Sequence, residues 1–181
     1  MAKLQLIFVV ETSEDDKADN IYIRSVIDKY FSFLNDKYDG ETNILTYCLK
    51  GKQHFNDKKT LYFIKNKTKM FSDYNEGALT VVIYFMDTDS TETEYKKGSF
   101  FSNVQEFCKE HNFELVWFCK NVENVFLNKE ADQVKNKTEA AKLFATSNGI
   151  DNIKRDNLSK DRIEYKCSNI ILVLGKYLNK K

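Results

Sequence analysis

Eight consecutive residues, Leu79-Thr-Val-Val-Ile-Tyr-Phe-Met86, constrain the fold of this chain more than any other stretch. Only Thr80 interrupts their hydrophobicity. A strand with one wet face alternates polar and apolar residues, whereas a run without alternation suits a central strand covered on both faces, as in a parallel sheet. Lys3 to Val10 reads the same way, and Asn43–Leu49 and Phe113–Cys119 are shorter strand candidates.

Helical spacing fills the intervals. Ile23, Val26, Ile27, Tyr30, Phe31 and Leu34 recur at helical period after Asp19, a candidate cap. Lys58–Ser72 leans towards helix, and Phe100–His111 places Val104, Phe107 and Cys108 on one side. A short segment at Val122–Leu127 precedes two expected helices, about 131–146 and 163–178. The chain has no proline and no evident linker. Strands alternating with helices predict an α/β fold: one domain over 1–181, a mostly parallel sheet flanked by helices, with a helical part from about 129.

Composition narrows the function classes. The run Leu4–Val10 is too short to span a bilayer, and Glu11 follows it where a signal peptide would place small residues. The four cysteines, at 48, 108, 119 and 167, form no Cys-x-x-Cys pair, which argues against structural zinc and for buried thiols. The expectation is a cytoplasmic, reduced protein without a membrane segment. Net charge is +1, but residues 1–128 carry 16 basic against 20 acidic groups and residues 129–181 carry 12 against 7. Such asymmetry can set a polyanion beside an acidic site.

In parallel α/β sheets, ligands bind beyond the carboxyl ends of the strands. After the first strand stand Glu11, Glu14, Asp15 and Asp16; after the central strand, Asp87 and Asp89; after the last, Lys120, Asn121 and Glu123. Carboxylates gathered at one edge repel unless a cation neutralises them, and oxygen ligands without nearby histidine suit Mg²⁺ or Mn²⁺. Such an ion could polarise a phosphodiester. The plainer alternative treats the acids as helix starts: Thr91 and Glu94 have capping-box spacing, and acids 14–19 suit a first turn. No glycine-rich phosphate loop is present.

Glu11 after the first strand and Asp87-Thr-Asp89 after a later one resemble the motif of the Toprim domain, the metal-binding α/β fold of topoisomerases, primases and several nucleases. The likeness covers about residues 3–128. It is nearest to the small OLD and RloB nucleases of phage defence and RNA processing. There a second acid follows the first Glu by four residues, here Asp15, and a tyrosine-containing helix comes next, here Ile21-Tyr22-Ile23. Asn121-Val-Glu123-Asn-Val-Phe-Leu127 resembles their Asn-Pro-x-hydrophobic-Glu segment, without its proline and with compressed spacing. Two departures stand out. Thr12 replaces the usual glycine, and Thr91 stands where topoisomerase-type domains carry a third acid; with no strand-passage domain, topoisomerase activity is not expected.

The resemblance implies a Mg²⁺-dependent nuclease acting on DNA or RNA, working beside a partner such as an ATPase. Glu11 would be a metal ligand and general base, Asp87 and Asp89 would hold Mg²⁺, and Asp15 or Glu123 would complete a second site. Lys120 would stabilise charge on the phosphate. Lys50, Lys52, Lys58, Lys59, Lys65, Lys67 and Lys69, interleaved with Phe55, Tyr62 and Phe63, could track a nucleic-acid backbone, or form a solvated helix face whose aromatics pack inward. The apolar final helix would pack on the sheet or form a homodimer contact. Two other readings remain open: a non-catalytic interaction module of the same fold, and a receiver-like domain with Asp87 as phosphate acceptor and Lys120 as its basic partner.

Overall fold

The 79–86 run forms the inner strand that its hydrophobicity predicts, extended by one residue to Asp87. In the computed structural model, which describes residues 3–12, 17–35, 38, 40–89, 98–129 and 131–181, four strands make one sheet: β1 (Leu4–Val10), β2 (Asn43–Cys48), β3 (Leu79–Asp87) and β4 (Glu114–Phe118). Their order is β2-β1-β3-β4, and every pairing is parallel. Six α-helices accompany them among the described residues: α1 (Ala18–Tyr30), α2 (Lys58–Tyr74), α3 (Phe100–Glu110), α4 (Val122–Leu127), α5 (Lys137–Thr146) and α6 (Ile170–Leu174). The architecture is α/β and Rossmann-like.

Strand parity explains why the central runs are almost wholly apolar. Successive side chains point to opposite faces, and both faces are roofed. Leu6, Phe8, Val10, Ile83, Phe85, Val116 and Phe118 join the core under α1, α4, α5 and α6. Ile7, Val9, Val82, Tyr84, Met86 and Trp117 join a second core with Ile64 of α2 and Phe101, Val104 and Cys108 of α3. Each buried aliphatic or aromatic side chain contributes about 1.5–3 kcal/mol. Tyr84 keeps its hydroxyl satisfied within this core by donating to the Phe55 carbonyl at 2.9 Å. Cys108 and Cys119 are buried, and burial pushes the Cys108 thiol up to about 12.

The C-terminal part departs from expectation. The helix expected over 131–146 begins only at Lys137, where Asn136 accepts a hydrogen bond from the Glu139 amide at 3.1 Å; residues 131–133 make a separate 3-10 turn. The helix expected over 163–178 shrinks to Ile170–Leu174. Its first half instead runs along the edge of β4. Asn169 Oδ1 accepts from the Trp117 amide at 2.9 Å, Asn169 Nδ2 donates to the Leu115 carbonyl at 3.0 Å, and Ser168 Oγ donates to the Trp117 carbonyl at 2.7 Å. Two side chains thus satisfy backbone groups that an open edge would leave unpaired, and the segment cannot be helical while doing so. Asp19 also differs from expectation: Lys17 occupies the N-cap position of α1, and Asp19 lies inside its first turn.

Candidate acidic site at the strand ends

The sheet order reverses between β1 and β3, because β1 leads to β2 on one side and β3 lies on the other. Such a switch point opens a crevice at the carboxyl ends of the strands. Glu11 directly follows β1, and Asp87 is the last residue of β3. The two are joined: the Asp87 amide donates to Glu11 Oε2 at 3.3 Å. Asp87 continues the parity of Ile83 and Phe85, the face roofed by α1, α4 and α5. That parity turns its carboxylate towards Asp19 and Glu123.

Glu123 comes from the first turn of α4, which Asn121 caps by accepting from the Asn124 amide at 2.8 Å. Its side chain is 0% exposed; Oε1 lies 3.0 Å from Lys137 Nζ, at the start of α5, and Oε2 finds no hydrogen-bond donor among the described residues. Burial lowers the Lys137 pKa, but the hydrogen bond and charge of Glu123, with Asp87 and Asp19 behind, outweigh it and raise the pKa overall. Burial is also the main force on Glu11 and Asp87. It raises the Glu11 carboxyl, against the Asp87 amide and the charges of Lys52 and Lys137. It holds Asp87 well above the usual carboxylate range, reinforced by Asp19, Glu11 and Glu123 and opposed by Lys137. Four carboxylates therefore share a field that two lysines only partly neutralise.

The other expected site residues lie differently. Asp89 adopts a left-handed backbone (φ 57°), is exposed, and pairs with Lys52. The turn after β3 thus carries it to the rim, so the side chains of Asp87 and Asp89 do not converge. Lys120, also left-handed (φ 67°), is locked by its backbone: its amide donates to Thr88 Oγ1 at 2.8 Å and its carbonyl accepts from the Asp89 amide at 2.9 Å. The cations acting on Glu11 are Lys52 and Lys137. Asp15, with Glu14 and Asp16, lies outside the described residues, as do Thr91 and Glu94.

Among the lysines, Lys52 belongs to the acidic site, and Lys50 stands beside it on the turn that follows β2. Lys58, Lys59, Lys65 and Lys69 are exposed on α2. Lys67 is half-buried over the Phe63 ring, 5.8 Å from its centroid. Of the interleaved aromatics, Phe55 is buried and Phe63 packs on Tyr47, leaving Tyr62 exposed. The single acid of that stretch, Asp57, is bonded to His54 Nδ1 at 2.8 Å and does not cap α2.

Asp19 and Lys137 were not foreseen as members of the site. Asp19 carried a local signal, an acid in the helix turn after a buried strand, that also fits a simple cap. Lys137 carried none, because only the packing of α5 brings it to Glu123. Among the described residues, no three acid, histidine or cysteine side chains stand ready to enclose one ion. No helix among them is long and apolar enough to cross a membrane. No protein-family model matches this sequence, and no curated protein is found to match it.

Proposed function

We propose that the chain is a Toprim-like, Mg²⁺-dependent phosphodiester hydrolase acting on DNA or RNA, with Glu11 and Asp87 at its centre. The observation that carries this reading is the gathering of Glu11, Asp87, Asp19 and Glu123 at the β1/β3 switch point, where burial and mutual repulsion raise the carboxyls of Glu11 and Asp87. Mg²⁺ keeps several of its waters and binds through one or two carboxylates, so a closed cage of three is not required. The residues fit that mode: Glu11 and Asp87 would hold the ion, with the buried Glu123 carboxylate adding negative charge behind them. Bound there, Mg²⁺ would polarise a phosphoryl oxygen and acidify a water. Lys52, at the mouth beside Glu11, supplies positive charge where a phosphate would approach, and the exposed lysines of α2 extend it. A partner, an ATPase in the defence systems that the resemblance implies, would add the surface for choosing a substrate.

Calorimetric titration with Mg²⁺ and Mn²⁺ tests the reading, on the wild type and on Glu11→Gln with Asp87→Asn, followed by cleavage assays on DNA and RNA. Saturable binding and cleavage that both vanish in a folded double variant support it. A wild type that neither binds the ions nor cuts either nucleic acid sinks it. The second reading, a non-catalytic module of the same fold, is favoured by one observation: Lys137 already neutralises part of the acidic charge from within.

A further inference from the structure

A separate cavity of about 700 Å³ opens between α4, α5 and the turns at 149–157, within the range of small-molecule sites. Its floor is apolar, with the rings of Phe126 and Phe144 packed edge to face, 5.7 Å between centroids. Lys129, Lys154 and Lys166 reach it from three different segments of the basic C-terminal part, and among the described residues its lining holds no aspartate or glutamate. Among the described residues, none of these lysines is in a salt bridge. Like charges drawn to one hollow repel each other, and an anion relieves that repulsion. Four asparagines share the wall, Asn124 being only 1% exposed. A side-chain amide offers donors and an acceptor together, as the edge of a nucleobase does.

We infer that this cavity binds a nucleoside phosphate, its phosphate among the three lysines and its base against the amides and the apolar floor. A bare phosphate would leave most of the volume unfilled. The site is distinct from the acidic one. On α4, Glu123 meets Lys137, while its neighbour Asn124 lines this cavity. It also gives the C-terminal excess of positive charge a task that the acidic site does not. The same chemistry could come as a free nucleotide or as the phosphorylated end of a strand.

The test is calorimetry in Mg²⁺-free buffer with ribonucleoside mono- and triphosphates, a 5′-phosphorylated dinucleotide and inorganic phosphate. The comparison variants are Lys129→Glu with Lys154→Glu, both exposed in the wild type, and Ala140→Trp, which fills the cavity from α5; circular dichroism checks that each folds. The expected result is one nucleotide per chain, bound about tenfold or more tighter than phosphate, and weakened about tenfold or more by either variant. Tighter binding of the dinucleotide assigns a strand end, and tighter binding of a mononucleotide assigns a free ligand. The inference falls if no nucleotide outcompetes phosphate, or if binding survives in both variants. Asp87→Asn separates this inference from the hydrolase reading, because it removes the acidic site and leaves the cavity intact.

Discussion

Asp87→Asn replaces a carboxylate by an amide of nearly the same shape, at a position where ionisation is disfavoured by burial and by Asp19, Glu11 and Glu123. The folded-state pKa of Asp87 lies above its ordinary 3.8, so its ionised form costs the folded protein stability. That cost is fully present above the raised folded pKa and fades as pH falls towards 3.8. Removing the charge should therefore stabilise the protein at neutral pH and do little in acid. Relief of a destabilised site of this kind is worth about 0.5–2 kcal/mol. At about 2–4 °C per kcal/mol for a chain of this size, that is an upward shift of about 1–8 °C. The assay is thermal and urea denaturation with EDTA at pH 7.5 and near pH 3.5, repeated with Mg²⁺. The wild type should gain stability with Mg²⁺ at pH 7.5, and the variant should start higher and gain less. A folded Asp87→Asn protein less stable than the wild type at pH 7.5 would refute the reasoning, because Asp87 would then be held by favourable partners.

Three further outcomes follow from the packing. Lys137→Met strands the Glu123 carboxylate; breaking a buried pair costs about 3–5 kcal/mol, and the 42% exposure of Lys137 reduces this to about 1–3 kcal/mol. Glu123→Leu added to Lys137→Met should recover most of that loss, by urea denaturation at pH 7.5. Asn121→Ala removes the cap of α4 and should cost about 1 kcal/mol in thermal melts while loosening the turn that presents Glu123. Gly149→Ala drives a methyl to 2.4 Å from the Phe144 ring, whose core neighbours Tyr22 and Phe126 resist displacement; an overpacking cost of about 1–3 kcal/mol should appear in the same melts.

The sheet was legible in the sequence because its information is local. A nearly unbroken apolar run such as Leu79–Met86 needs two roofed faces whatever surrounds it, and the structure supplies both. Glu11 and Asp87 were legible for the same reason: a carboxylate directly after a buried strand must emerge at the strand's carboxyl end. Their pairing across 76 residues, the Asp87 amide to Glu11, follows from β1 and β3 being parallel neighbours. Asp89 was misread because one left-handed residue cancels the parity that would have aimed it beside Asp87. The final helix was misread because Ile163 to Leu178 carries a helical pattern, while Ser168 and Asn169 bond to β4, a partner some 50 residues away that no local period encodes. Lys137 joined Glu123 only through the docking of α5. Local apolar runs and helical spacing thus determined which segments form strands and helices and which acids stand at their ends. Tertiary packing decided which charges meet there, because contacts between distant segments depend on how their apolar faces stack.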